Sequence, residues 1–177
     1  GSVYADLIRK LTEDEENKPD IIGLDMQFSG HVDEAGDLAF ADAAKEFGDT
    51  VVVGQFKYAD MPEIDANGIP YYPVKDMYLP YDELAKVCHI GYSNVSQDSD
   101  GTVRRISTEN SYNGITYKSF PWMIYKTYCE KRNTEPQDYR IDRYGRSIID
   151  YSGRPGDYEY VSLEDVLEGR IDPRAFA

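Results

Sequence analysis

Residues 21–25, Ile21-Ile22-Gly23-Leu24-Asp25, and residues 51–55, Val51-Val52-Val53-Gly54-Gln55, decide the fold. Each is a short apolar run that closes on polar residues, the pattern of a strand buried on both faces of a parallel sheet. Between them, after a polar loop from Ser29 to Gly36, Leu38–Phe47 reads as an Ala-rich helix. It packs through Leu38, Ala41 and Ala44, and Gly48 suits its C′ position. Strand, helix and strand within about 35 residues form a βαβ unit with a right-handed crossover. The two runs are therefore expected as adjacent parallel strands at the centre of the sheet.

Working outward, Val3–Leu11 reads as a helix with Leu7, Ile8 and Leu11 on one face. His89-Ile90-Gly91-Tyr92 reads as a third strand. Asp98-Ser99-Asp100-Gly101 is a strong turn signal, and Val103–Ser107 follows as a further strand, which predicts an antiparallel hairpin near residues 90–107. Gly114 marks another turn. Ser119 suits the cap of a helix carrying Phe120, Met123, Ile124 and Tyr128 on one face. Ser147–Tyr151 is a strand and Gly153-Arg154-Pro155-Gly156 a loop. Ser162-Leu163-Glu164-Asp165 opens a last short helix, and Gly169 stops it. The fold class is α/β: a mainly parallel central sheet with helices on both faces, in a single domain over residues 3–177. Gly1-Ser2 reads as an expression scar.

The stretch Lys57–Asp82 has a different composition. It holds Pro62, Pro70, Pro73 and Pro80, and five of the chain's 16 tyrosines. It reads as a long loop without regular structure, closed by Asp82 as the cap of a helix over Glu83–Val87.

Composition narrows the function. Among 177 residues, 33 acidic side chains against 19 basic ones leave a net charge of −14. Such a chain repels phosphate backbones, so nucleic acid is not an expected partner. No apolar run reaches the roughly 20 residues that span a bilayer. The two cysteines, Cys88 and Cys129, are compatible with a disulfide or with two buried free thiols. With only His31 and His89 beside them, and no C-x-x-C pair, a zinc site is not expected. No nucleophile elbow, metalloprotease helix or phosphate loop occurs, so the chain is read as non-catalytic, with no cofactor and no metal. Asp98-x-Asp100-Gly101 resembles part of a calcium loop, but its first and last positions are Ser96 and Ser107, which lack the required carboxylates.

In open α/β sheets, ligands bind outside the carboxyl ends of the strands. Asp25, Gln55 and Asn94 are the polar residues at three such ends. Arg104, in the basic pair Arg104-Arg105, suits an anionic ligand by a bidentate contact or an ion pair with Asp98 or Asp100. Tyr71 and Tyr72 in the 57–82 stretch combine apolar area with a hydroxyl, which suits a ligand cover or a protein interface. These six are the candidate ligand contacts. An Asp25-dependent hydrolase and a ligand-free dimerisation module are the competing readings.

Several segments together resemble one family. They are Pro19-Asp20-Ile21-Ile22-Gly23-Leu24-Asp25 with Phe28, then Asp49-Thr50-Val51-Val52-Val53-Gly54 after its helix. Ile90-Gly91-Tyr92-Ser93-Asn94 follows, then Asp98-x-Asp100-Gly101-x-Val103-Arg104-Arg105. Ser119-Phe120-Pro121, Asp150-Tyr151-x-Gly153 and Ser162-Leu163-x-x-Val166-Leu167-x-Gly169-Arg170 continue the order. The series resembles a type-2 CHASE domain, the cyclase- and histidine-kinase-associated sensory extracellular domain. The resemblance implies an extracytoplasmic sensor of a membrane receptor, anchored by transmembrane segments outside this chain. The implied output is a histidine kinase, nucleotide cyclase or similar domain, and the implied partner a small-molecule or protein signal, with a homodimer as a further arrangement. The family pattern runs on into another apolar strand after the last helix, so a trimmed or short C-terminus is expected.

Overall fold

The computed structural model describes residues 1–137, 140–154 and 156–176. Pro155, in the expected loop after Gly153, lies outside the described residues. The chain opens with α1 (Ser2–Leu11), β1 (Ile22–Leu24), α2 (Glu34–Phe47) and β2 (Thr50–Tyr58). As the apolar runs predict, β1 and β2 are parallel neighbours, with Ile22 opposite Thr50 and Leu24 opposite Val52. Helix α2 starts at Glu34, four residues before the expected Leu38, because Asp33 caps it by accepting from the Gly36 N–H. Gly48 ends it at φ 87°, a conformation that favours glycine.

Strand β6 (His89–Tyr92) pairs parallel with β2, Val51 opposite His89 and Gly54 opposite Tyr92. Strand β2 thus lies between two parallel partners at the centre, whereas β1, also expected at the centre, pairs with β2 alone and is at an edge. The faces of this sheet divide by alternation. Ile22, Leu24 and Val52 pack with Ala5, Ile8, Phe40 and Ala44 of α1 and α2 in one buried cluster. The other face carries α4 (Phe120–Lys131). Gly23 and Gly91 make room for it: a Cβ on Gly91 would lie 2.5 Å from the Phe120 Cα, and one on Gly23 2.8 Å from Ile124 Cδ1. Helices cover both faces, as expected.

Three expectations are corrected. First, β2 does not close at Gly54-Gln55 but runs on to Tyr58, and Lys57–Asp82 is not irregular. Strand β5 (Val74–Tyr78) returns antiparallel along it, Gln55 opposite Tyr78, and a small hairpin of β3 (Glu63–Ile64) and β4 (Pro70–Tyr71) forms the tip. Phe56 and Met77, buried with Tyr92, hold this ribbon down. The prolines suggested a loop, yet Pro70 and Pro73 sit at strand margins, where a missing N–H costs least.

Second, no hairpin joins residues 90 and 107. Strand β6 is committed to β2, and β7 (Arg105–Ser107) pairs antiparallel with β10 (Arg146–Ile148). Across the turn, where Gly101 takes φ 80°, the antiparallel link is the bridge between Ser96 and Arg105. The true hairpin is β8 (Glu109–Tyr112) with β9 (Ile115–Lys118), turning at Asn113-Gly114 with φ 50° and 77°. Asn-Gly is a strong hairpin signal for that reason.

Third, Asp82 is not a cap but the first residue of α3 (Asp82–Ala85). The hydroxyl of Ser119 makes no cap bond to α4, whereas Ser162 does cap α5 (Leu163–Leu167), accepting from the Glu164 N–H. A 3₁₀ turn, Pro173–Phe176, ends the described chain. Among the described residues, no helix is long and apolar enough to cross a membrane. Cys88 and Cys129 are free thiols. Burial pushes the Cys88 thiol up to about 12, so it is held protonated.

Candidate functional site

Strand β6 ends at Tyr92, opposite Gly54, while its neighbour β2 runs on to Tyr58. Beyond those carboxyl ends lies a cleft of about 420 Å³. One wall is the β2–β5 ribbon, which contributes Tyr71 and Tyr72. The segment after β6 supplies Asn94, Val95 and Ser96. Ser107, Glu109 and Asn110 of β7 and β8, with Tyr144 from the turn before β10, complete the lining. Residues distant in sequence thus meet at the place where open α/β sheets bind ligands.

The floor is rigidly tied. Tyr92, 1 % exposed, donates its hydroxyl to the Ser107 carbonyl at 2.5 Å. The Asn110 side-chain amide donates to the Tyr58 hydroxyl at 3.1 Å. Burial raises the Tyr58 pKa, against the lowering effect of that bond, and burial raises that of Tyr92 as well. Tyr71 donates to Glu63, and that acceptor raises its pKa too. All three phenols are therefore held neutral; Tyr71 and Tyr92 spend their protons on Glu63 and Ser107, while the Tyr58 hydroxyl accepts from Asn110.

Asn94 performs a backbone's task. Its amide oxygen accepts from the Phe56 N–H at 2.7 Å, and its amide nitrogen donates to the Phe56 carbonyl at 2.9 Å. The side chain thereby continues the β6 edge of β2 where β6 itself has ended. Both polar atoms serve the strand, which fixes the side chain in place and leaves one N–H and one lone pair for a ligand.

The six predicted contacts do not gather in one place. Asn94, Tyr71 and Tyr72 line the cleft. Gln55 lies inside β2 rather than at its end, and its side chain bonds Gln27. Consecutive strand residues aim their backbone groups to opposite edges. Phe56 bonds Asn94 on the β6 edge, which leaves Gln55 on the β1 and β5 edge. Asp25 is exposed just past β1, outside the cleft lining. Arg104 is engaged elsewhere: it is bidentate to Asp100 at 2.9 and 2.8 Å and reaches Asp98 at 3.1 Å. This guanidinium pushes the Asp100 carboxyl down to about 2. Arg105 shares Asp98 at 3.0 Å. The ion-pair alternative for the basic pair is the one observed.

Sequence reading missed Tyr58, Tyr92, Val95, Ser96, Ser107, Glu109, Asn110 and Tyr144. Asn113-Gly114 offered a signal for the β8–β9 hairpin that brings Glu109 and Asn110 to the cleft. Nothing local marks Tyr144, which arrives through the β7–β10 pairing.

A mixed α/β domain with a ligand-sized cleft at its strand ends, and with its aromatic floor locked in place, has the build of a small binding domain. The CHASE2 domain matches residues 1–177, the whole chain, and the chain belongs to that family of sensory extracellular domains. No curated protein and no solved structure matches it.

Proposed function

We propose that the chain is the signal-input domain of a membrane-anchored receptor, displayed on the extracytoplasmic side, and that the tyrosine cleft receives the signal. Family membership supports the sensory role. The observation that carries the site is the cleft itself, assembled at the ends of β2 and β6 from the ribbon, the segment after β6 and the β8 hairpin. A ligand touching all three would bind one arrangement of these segments better than another and shift their populations. Transmembrane segments outside this chain would pass that shift to a histidine kinase or nucleotide cyclase. The chain itself performs no catalysis in this reading. Exposed Asp25 lies outside the cleft and serves neither as acid nor as ligand contact. The test is the output activity of the full-length gene product with cleft residues substituted. Output that follows Tyr72→Ala supports the reading, and output indifferent to every cleft substitution removes the site.

A further inference from the structure

The cleft's own groups select among ligand chemistries. No lysine, arginine or histidine lines it among the described residues; the guanidiniums beside it, Arg143 and Arg146, are engaged with the Tyr144 hydroxyl and with Asp142, so no lining cation is aimed into the cleft at a phosphate or carboxylate. The one lining carboxylate, Glu109, is paired with Lys118 across the β8–β9 hairpin. A cation would not find an open ring at Tyr144 either. The guanidinium carbons of Arg143 and Arg146 lie 4.8 and 4.7 Å from that ring's centroid.

Two kinds of group remain uncommitted. Among the described residues, the hydroxyls of Tyr72, Ser96 and Ser107 make no hydrogen bond to the protein. A hydroxyl both donates and accepts, so these three match partners that do the same. The rings of Tyr71 and Tyr72, 45 % and 55 % exposed, stand at the mouth with aromatic surface available. A ring's negative face attracts polarised C–H groups. A sugar presents that combination: a face of C–H groups with a rim of hydroxyls and no charge.

We propose that the cleft binds a neutral polyhydroxylated ligand, a mono- or disaccharide. Its C–H face stacks on Tyr71 or Tyr72, and its hydroxyls exchange hydrogen bonds with Tyr72, Ser96 and Ser107. The inference rests on the cleft being the input site, and it adds the ligand class.

The test is amide NMR on the isotope-labelled chain. Glucose, galactose, N-acetylglucosamine, maltose and chitobiose are titrated one by one, then choline and inorganic phosphate. The expected result is saturable shifts with at least one sugar, confined to residues 71–72, 94–96 and 107–110. Tyr72→Ala and Ser107→Ala should each weaken that binding about tenfold, the effect of losing roughly one well-formed contact. Cleft amides that stay silent to all five sugars overturn the proposal. If choline or phosphate moves those amides instead, the ligand class falls while the input site stands. Sugar shifts that map elsewhere, or that persist unchanged in both variants on an intact spectrum, overturn the class and the site together.

Discussion

At the scale of single residues, two polar side chains substitute for backbone. Asn94 pairs both polar groups of Phe56, and removing it strands a buried N–H and C=O. Leaving such groups unpaired costs about 1–3 kcal/mol. Asn94→Ala should lose stability in that range in chemical denaturation, and an unchanged midpoint would show the pairing to be incidental. Asp37, 5 % exposed, serves the start of α2. Burial opposes its ionisation, but accepting from the N–H groups of Val32 and Asp33 at 2.9 and 3.2 Å works the other way, and its pKa is lowered. His31 stands 3.4 Å from the same carboxylate. A carboxyl whose folded pKa is depressed contributes stability above its unfolded pKa and loses it as pH falls through the folded value. Asp37→Asn should therefore melt below the parent at neutral pH, and the gap should close under acid conditions. A gap of constant size from neutral to acid pH would contradict this.

At the scale of elements, the close approach of α4 to the sheet rests on two glycines with different neighbours. A methyl at position 91 meets the backbone of Phe120 at 2.5 Å, whereas at 23 it meets the flexible end of Ile124 at 2.8 Å. Backbone cannot step aside as a side-chain tip can. Gly91→Ala should cost about 1–3 kcal/mol, and Gly23→Ala clearly less. Thermal melts of the two variants decide it, and equal losses would contradict the packing described. The elements legible in the sequence were those whose cause is local. The apolar runs at 21–24, 51–53 and 89–92 became parallel strands, and Gly48 and Gly169 ended helices, both at positive φ. The ribbon of residues 55–78 was not legible, because Phe56 and Met77 become core only by meeting Tyr92. The pairing of β7 with β10 was hidden for the same reason: nothing between residues 107 and 146 announces that partner. Most of the site followed suit. Asn94, Tyr71 and Tyr72 could be named from strand ends and tyrosine density, whereas Tyr58 was misplaced in a loop and Tyr144 carried no signal.

At the scale of the whole molecule, a net charge of −14 surrounds a cleft whose own charges are balanced internally. The acidic surface keeps polyanions away. The cleft joins three segments over the β2–β6 floor, and in the proposed reading a ligand that bridges them shifts their populations. The central claim is that the signal enters there, and not at the rim where Asp25 and Gln55 lie. Output activity of the full-length gene product, compared between Tyr72→Ala with Ser107→Ala and Asp25→Asn with Gln55→Ala at equal membrane levels, measures it most directly. The account predicts a changed response in the first pair and a parental response in the second. A parental response in the first pair with a lost response in the second would contradict it.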